Sequence, residues 1–493
     1  MRRRARTVHR VALAIAAPLA TALLLGSSPA LAGPGDPVDP ATEAANFAKT
    51  QERASDYLTP EDMLEQTEEG LASLAEGVVE QASDPGRLFV TDLCWSKGQG
   101  CGGDPRLDEW DEKGYGVSRP VQFVGRNGST LVGHMWRTRS GPARRPLVVI
   151  TNGSVQASEE LYWWAAQTLA KAGYVVMTWE PQGQGRSDTF GAGEDTMDGV
   201  PSQSTGHTFY DHTQDALDFA LSSRRSAYCP RESRSGTSHC AKQKARVADG
   251  FATAHNPFRR FVDRSRIGLA GHSYGAAGVS WAGQADRRVD AVVAWDNLCD
   301  PTADTGAPGS GTSGCLPGAP SKVSPRVPSL GFSADYGLTP EAFLTQPDPQ
   351  DRNHASHAFS KAGVDTGELV IRGGTHYEFS YIPTPTFGAT LRGIDLSAWY
   401  TTAWMDRYVK GDRTALRRLL TDRWRHDGVG ASVDANGDGN LFSFYLRSRL
   451  DLGHDDGPRV RCENLRRGCD ALRRRDGHPA SYSYLAEATS PDR

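Results

Sequence analysis

Residues 266–283, RIGLAGHSYGAAGVSWAG, contain the pattern that decides the predicted fold. The apolar run Ile267–Ala270 indicates a short buried strand, and the small residues after Gly275 indicate a closely packed helix. Between them, residues 271–275 form a G-x-S-x-G motif. That motif, between a strand and a helix, holds its serine on a sharp, strained turn. We therefore expect Ser273 to be a nucleophile, with a plain strand-to-helix turn as the alternative.

The same alternation of strand and helix extends through much of the chain. A continuous apolar run, typical of a strand buried on both faces, occurs at Pro146–Thr151. Further short buried strands are expected at Tyr174–Trp179, Ala291–Trp295, Val327–Phe332 and Glu368–Ile371. Helical patterns occur at Glu159–Lys171, Phe209–Leu221 and Leu396–Val409. Nearer the N-terminus, Asn127-Gly128 between two strand patterns predicts a β-hairpin. The sequence therefore predicts an α/β fold, a mostly parallel sheet with helices on both faces.

A serine hydroxyl is a weak nucleophile until a base removes its proton. His376 is the candidate base among the 13 histidines. It follows Gly373-Gly374-Thr375, directly after the strand pattern Glu368–Ile371, so it should lie at the same edge of the sheet as Ser273. His272, next to the serine, is expected to point away from it.

A carboxylate that orients the imidazole should lie between the serine and the histidine in the chain. Asp335 follows the strand pattern Val327–Phe332 and is favoured, since this acid more often follows the later strand. Asp296, just after Ala291–Trp295, is the alternative. Glu378 is expected to anchor the histidine loop.

The negative oxygen formed by nucleophilic attack needs preorganised N–H donors. One should be the backbone N–H of Tyr274, and the other that of Ser154, in the loop after the strand pattern Pro146–Thr151. An ordinary strand-end turn is the alternative for this loop. The aromatic residues 162–164 (YWW) are expected to be mainly core, with the lining of an acyl site as the alternative.

These features resemble the α/β-hydrolase family over about residues 118–412. Residues 179–187, WEPQGQGRS, are similar to the family's strand-end D-x-R-G-x-G-x-S signature, from which Glu180 and Gln182 depart. Asn152-Gly153 stands where the family usually has His-Gly in its oxyanion loop. The chain looks most like secreted bacterial esterases and lipases, including dienelactone-hydrolase-like and cutinase-like members. The resemblance implies a Ser-His-Asp hydrolase that cleaves carboxylic ester bonds through an acyl-enzyme and needs no cofactor.

Two other functions remain open at this point. A secreted serine peptidase of the same fold, acting on short peptides, would use the same residues, but no charged clamp for a peptide terminus can be assigned. A catalytically silent binding protein would have no chemical reason to keep Ser273, Asp335 and His376 in this order. The expected partner is an ester or acyl substrate rather than nucleic acid, because the chain is acidic, with a net charge of −4. We expect a monomer.

The N-terminus is typical of an export signal. Arginines at positions 2, 3, 4, 6 and 10 precede the apolar run Val11–Leu25, and Ala30-Leu31-Ala32 has the small residues that signal peptidase requires. The apolar run is short for a membrane span, so an uncleaved anchor is the less favoured alternative. We expect residues 1–32 to be removed and the mature protein to be secreted, without stable membrane association.

Three segments are expected after the signal peptide. They are a helical, disulfide-stapled extension at 33–117, a catalytic domain at 118–427 with insertions near 226–260 and 299–326, and an extension at 428–493 without an assigned function. In the first segment, apolar residues recur at helical spacing, so this face should dock on the main body. These residues are Met63, Leu64, Leu71, Leu74 and Val78.

The eight cysteines fall into neighbouring couples. An even number of cysteines behind an export signal predicts four disulfides. Metal binding is disfavoured because no couple has Cys-x-x-Cys spacing. The couples are Cys94/Cys101, Cys229/Cys240, Cys299/Cys315 and Cys462/Cys469.

Residues 434–440, DANGDGN, place the oxygen ligands Asp434, Asn436 and Asp438 at alternate positions, as in a calcium-binding EF-hand loop. The twelfth position is Tyr445 rather than glutamate, so a polar turn is the favoured interpretation. Calcium, if bound, would be structural.

Overall fold

A mixed sheet runs through the centre of the computed structural model. In the residues that the structure describes it has ten strands, which are, in chain order, β1 (Gly116–Val124), β2 (Thr130–Thr138), β3 (Arg145–Thr151), β4 (Val175–Trp179), β5 (Val262–His272), β6 (Ala291–Trp295), β7 (Ser329–Ala334), β8 (Thr366–Ile371), β9 (Arg449–His454) and β10 (Gly457–Cys462). Their spatial order is β1-β2-β4-β3-β5-β6-β7-β8-β9-β10. In that order the strands from β4 to β8 are parallel, and antiparallel pairs extend the sheet at both ends. The predicted α/β architecture with a mostly parallel sheet is confirmed.

The structure describes most of the chain between residues 114 and 472. The continuous ranges are 78–88, 114–154, 157–199, 206–304, 314–338, 345–380, 391–421, 440–455 and 457–472, and further described residues are 41, 44, 45, 48, 64, 68, 71, 72, 75, 110, 341–343 and 424. The predicted signal peptide, the couple Cys94/Cys101 and the predicted calcium ligands Asp434, Asn436 and Asp438 lie outside the described residues.

Helices cover both faces of the sheet. They are α1 (Trp163–Lys171), α2 (His207–Leu221), α3 (Cys240–Ala248), α4 (Tyr274–Ala285), α5 (His354–Lys361), α6 (Leu391–Tyr408) and α7 (Leu416–Leu419). Because side chains alternate along a strand, Val148 and Ile150 of β3 pack with α1 and α6, while Leu147 and Val149 pack with α2 and α4. All four are fully buried, which explains the continuous apolar run in the sequence.

The carboxyl ends of the central strands meet at one edge of the sheet. Paired residues near these ends are His272 with Trp295, Trp295 with Phe332, and Ala334 with Ile371. The residues that follow β5, β6, β7 and β8 are therefore neighbours at this edge. At the far side of the sheet, β1 and β2 pair around Asn127-Gly128, as the hairpin prediction requires.

Disulfides close three loops in the described part of the chain. Cys229–Cys240, Cys299–Cys315 and Cys462–Cys469 are paired, which confirms three of the four predicted couples. The first lies within the polar insertion near 226–260 and ends at the first residue of α3, and the second closes a loop within the insertion near 299–326. The third begins at Cys462, the last residue of β10. Because β9 pairs with β8 and β10 with β9, part of the predicted C-terminal extension continues the central sheet.

The predicted docking of the N-terminal helical face is wrong for the residues that the structure describes. Leu64, Leu71 and Val78 are about 60% exposed. Ion pairs instead tie residues 84–87 to a loop and a helix beside the sheet. The Arg87 guanidinium lies 2.6 Å from Asp188, in the loop after β4, and Asp84 pairs with Arg246 of α3. The apolar spacing alone could not distinguish a face on the core from a face on solvent. In the described residues no helix is long and apolar enough to cross a membrane.

Candidate active site

Ser273 lies on the turn between β5 and α4. Its backbone angles are φ 58° and ψ −122°. Among the described residues only Ser273 and Asp296 combine a positive φ with a side chain other than glycine. Such conformations cost about 1–3 kcal/mol each and persist where the surrounding structure enforces them. Both strained residues follow neighbouring strands at the carboxyl edge of the sheet.

The two motif glycines allow this turn to pack closely. A Cβ atom on Gly275 would lie within 3.0 Å of the carbonyl oxygens of Thr151 and Asn152, at the end of β3. A Cβ atom on Gly271 would likewise lie within 3.0 Å of the carbonyl group of Gly275. The backbone N–H of Ser273 donates to the carbonyl of Trp295, at 2.9 Å. The serine is therefore fixed between the ends of β3 and β6.

His376 is paired with Asp296 at the same edge. It begins a 3-10 turn, His376–Phe379, in the loop after β8. Its Nδ1 lies 2.6 Å from Oδ2 of Asp296, the residue directly after β6. A carboxylate can only accept, so Nδ1–H donates and Nε2 is left with its lone pair. Both side chains are partly accessible to solvent.

The charge of Asp296 is maintained by its surroundings. Burial alone would raise the pKa of the Asp296 carboxyl, but the adjacent His376 imidazole and the Arg352 guanidinium outweigh this effect, and the pKa is lowered. An ionised Asp296 can stabilise the imidazolium that forms when His376 takes up a proton.

Asp335 lies at the same edge but does not pair with His376, which corrects the expectation from the sequence. Its Oδ2 accepts from Arg372 Nη1 at 2.7 Å and from the backbone N–H of Gly373 at 2.8 Å. The Asp335 and Arg372 side chains are fully buried. Asp335 therefore holds the start of the histidine loop, and its carboxylate is neutralised by a fixed cation.

The sequence favoured Asp335 over Asp296 only because Asp335 follows the later strand, and this criterion gave the wrong aspartate. A sequence signal existed: Arg372 comes directly after the strand β8, where it can reach an acid at the end of β7. Glu378, expected to anchor the histidine loop, is buried between that loop and α6, where it lies against Gly374 and Gly393.

The loop after β3 approaches the serine closely. A Cβ on Gly153 would lie 3.2 Å from the Cβ of Ser273. The Gly153 N–H donates to the phenol oxygen of Tyr162, at 3.1 Å. Because that N–H is engaged, the following N–H, of Ser154, is the candidate donor to an oxyanion from this loop. Tyr274, which supplies the other candidate N–H, is the first residue of α4.

Tyr162 and His272 form contacts that the sequence did not predict. The Tyr162 hydroxyl lies 2.7 Å from His272 Nδ1, and His272 Nε2 lies 2.8 Å from the carbonyl oxygen of His376. Tyr162 and Trp164 are fully buried, as core aromatics are expected to be, while Trp163 is partly accessible. A local pattern cannot predict such contacts because the three partners are over a hundred residues apart in sequence.

Glu368 of β8 has a buried carboxyl that is close enough to Asp296 to be affected by its charge. The hydroxyl of Ser333 donates to its Oε1 at 2.9 Å. Burial, with a smaller contribution from the charge of Asp296, raises the pKa of Glu368 well above its ordinary value. Glu368 is therefore neutral at pH values where exposed carboxyls are ionised.

Within the described ranges, no cluster of three or more His, Cys, Asp or Glu side chains could hold a metal ion. No protein-family model matches the chain, and no curated protein matches it either.

Proposed function

We propose that this protein is a secreted serine hydrolase with the α/β-hydrolase fold, which cleaves carboxylic ester bonds. The observation that carries the proposal is the coincidence of three features at one sheet edge. These are a serine on a strained turn, an imidazole with Nε2 left to accept a proton, and an ionised carboxylate on the Nδ1 side of that imidazole. The order Ser273, Asp296, His376 along the chain is also that of the α/β-hydrolases.

In the proposed mechanism, Ser273 Oγ attacks the carbonyl carbon of the ester while His376 Nε2 takes the hydroxyl proton. The carbonyl oxygen becomes negative and accepts hydrogen bonds from the N–H groups of Tyr274 and Ser154. The tetrahedral intermediate then collapses, the C–O bond to the alcohol breaks, and the imidazolium gives its proton to the leaving alkoxide. Water, deprotonated by the same imidazole, releases the acid and restores the serine hydroxyl.

The role of Asp296 in this mechanism is electrostatic. It keeps the proton of neutral His376 on Nδ1 and stabilises the positive imidazolium in both halves of the reaction, without itself becoming protonated. Its lowered pKa supports this role, since the Asp296 carboxylate stays ionised at neutral pH.

Export of the protein is supported by the three disulfides in the described residues, because such bonds persist in oxidising compartments. It is also supported by the N-terminal sequence, in which a basic start, a short apolar run and small residues follow one another.

The proposal is tested with p-nitrophenyl esters of increasing acyl length and with aminoacyl p-nitroanilides. We expect turnover of the esters that disappears in Ser273→Ala and persists in Ser265→Ala. Ser265 is the matched control, since it is an exposed serine at the other end of the same strand. Ester turnover that survives in Ser273→Ala, or no turnover of any ester, contradicts the proposal; cleavage of anilides alone favours a peptidase.

A further inference from the structure

A chain of hydrogen bonds joins the loop after β3 to the backbone of His376. It runs from the N–H of Gly153 to the Tyr162 hydroxyl, from Tyr162 to His272 Nδ1, and from His272 Nε2 to the carbonyl of His376. The distances are 3.1, 2.7 and 2.8 Å. These atoms connect the two sides of the candidate active site, namely the oxyanion loop and the histidine loop.

The direction of each bond in this chain follows from its ends. The carbonyl of His376 can only accept, so His272 Nε2–H must donate to it. A neutral imidazole then has a lone pair at Nδ1, which accepts from the Tyr162 hydroxyl. The phenol oxygen in turn accepts from Gly153 N–H, and each bond therefore fixes the donor and acceptor of the next.

Both side chains are neutral around neutral pH, so the pattern of donors and acceptors is the same throughout that range. Burial, and to a smaller extent the neighbouring His376, lowers the pKa of His272 to about 3. Burial also raises the pKa of the Tyr162 phenol. Neither group can be the general base near neutral pH, and His272 has both ring nitrogens engaged.

We propose that Tyr162 and His272 are positioning residues, which set the oxyanion loop and His376 relative to each other through this chain of hydrogen bonds. The inference rests on the proposed hydrolase function and adds two residues to it. Tyr162 lies on the 3-10 turn Glu159–Tyr162 that precedes α1, and the next turn of that segment gives a second link: Trp164 Nε1 donates to the carbonyl of Phe379 at 3.3 Å. The element after the oxyanion loop thus contacts the histidine loop at two points.

The first test compares Tyr162→Phe with Tyr174→Phe. Both variants remove one buried phenol hydroxyl, but that of Tyr174 donates to Asp406 near the amino end of β4, away from the site. We expect Tyr162→Phe to lower kcat for a p-nitrophenyl ester by about tenfold to a hundredfold, since small displacements of reacting groups have effects of this size. KM should stay within about twofold because substrate binding is not altered. Tyr174→Phe should keep the wild-type kcat.

The second test uses His272→Gln and His272→Leu, and it decides the question alone if Tyr162→Phe does not fold. The glutamine amide can still donate to the His376 carbonyl, whereas leucine cannot. We expect His272→Gln to keep at least about ten times the kcat of His272→Leu. In the double variant Tyr162→Phe/His272→Leu, the loss of kcat should be no larger than the larger single loss, because both changes break the same chain.

The outcomes separate this inference from the function on which it rests. If the wild type hydrolyses esters but Tyr162→Phe keeps kcat within twofold, or His272→Gln and His272→Leu are equally active, the positioning role is overturned and the hydrolase proposal stands. Independent, additive losses in the double variant also overturn it. If the wild type shows no turnover that depends on Ser273, the hydrolase proposal and this inference both fail.

Discussion

Two aspartates at the carboxyl edge of the sheet have different partners, and this decides which of them can assist a base. Asp296 faces the His376 imidazole at 2.6 Å, whereas Asp335 is bound by Arg372 and the Gly373 N–H in a fully buried pair. Arg372 already compensates the negative charge of Asp335, so this carboxylate would stabilise an imidazolium only weakly. We therefore expect one variant to affect catalysis and the other to affect stability.

The prediction concerns Asp296→Asn and Asp335→Asn, which make the same chemical change. Asp296→Asn should lower kcat by about 10³–10⁴-fold, because the amide no longer fixes the tautomer or stabilises the imidazolium. Asp335→Asn removes the carboxylate that pairs with the buried Arg372 guanidinium and should lower the free energy of unfolding by about 3–5 kcal/mol. Its kcat, measured well below its Tm, should stay within about tenfold. Steady-state kinetics and thermal unfolding of both variants measure these effects. A large loss of kcat in Asp335→Asn together with a large loss of stability in Asp296→Asn would contradict our account.

At this scale, part of the candidate site could be predicted from sequence and part could not. The expectation that Ser273 and His376 lie at one edge follows from the strand patterns before them, because parallel strands end together. The pairing of His376 with Asp296 could not be predicted from strand order, since it depends on which carboxylate Arg372 reaches. The contacts of Tyr162 and His272 depend on the packing of three distant segments.

The packing of α4 against the end of β3 is the feature that sets the serine turn. Gly275 lies where any side chain would meet the carbonyl oxygens of Thr151 and Asn152. Backbone atoms cannot move aside as the end of a flexible side chain can. The strand-turn-helix unit therefore depends on a glycine at this position.

Gly275→Ala should move the turn away from β3 and harm both stability and catalysis. Overpacking of this kind destabilises by about 1–3 kcal/mol, and the shift of Ser273 should lower kcat by about tenfold or more. Gly337→Ala is the control, since its added methyl meets nothing within 4 Å and its φ is ordinary for an L residue. Thermal unfolding and ester turnover are measured on both. A Gly275→Ala protein with the stability and kcat of the control would show that the turn does not depend on this contact.

The strands and helices differ in how well their sequences predicted them. The buried run of β3 and the hairpin of β1 and β2 are local patterns, and both were predicted. The strands β9 and β10 were not predicted. β9 joins the sheet by pairing with β8, more than 80 residues away in sequence, and β10 pairs with β9. Leu64, Leu71 and Val78 belong to a helical apolar pattern, yet all three are exposed.

The pH dependence of the stability of the whole protein should reflect its buried carboxyls, and Glu368 is the most direct case. Its pKa is raised in the fold, chiefly by burial, above the ordinary value of 4.5. The neutral form is thus favoured by folding. The contribution of neutral Glu368 to the free energy of unfolding is fully present below pH 4.5. It is lost as the pH rises toward the pKa that Glu368 has in the folded protein. The loss reaches at most about 1.4 kcal/mol per pH unit.

Glu368→Gln should remove this loss, since glutamine stays neutral and has nearly the same shape. Relative to wild type, the variant should become more stable as the pH rises from 5 to 8, with little advantage at the acid end of the range. Glu232→Gln, at an exposed position, is the control and should not show this trend. Melting curves at a series of pH values measure the difference. A difference in Tm that is constant over this range would contradict the burial of an ionisable Glu368.

Covalent labelling with a fluorophosphonate, followed by mass spectrometry of the digested protein, tests the central claim most directly. The claim is that Ser273, His376 and Asp296 act together at one edge of the sheet. We predict one adduct per chain, on Ser273, with labelling abolished in Ser273→Ala and strongly slowed in His376→Ala and Asp296→Asn. A wild-type protein that stays unlabelled, or an adduct on another residue that forms equally fast without His376, would contradict it.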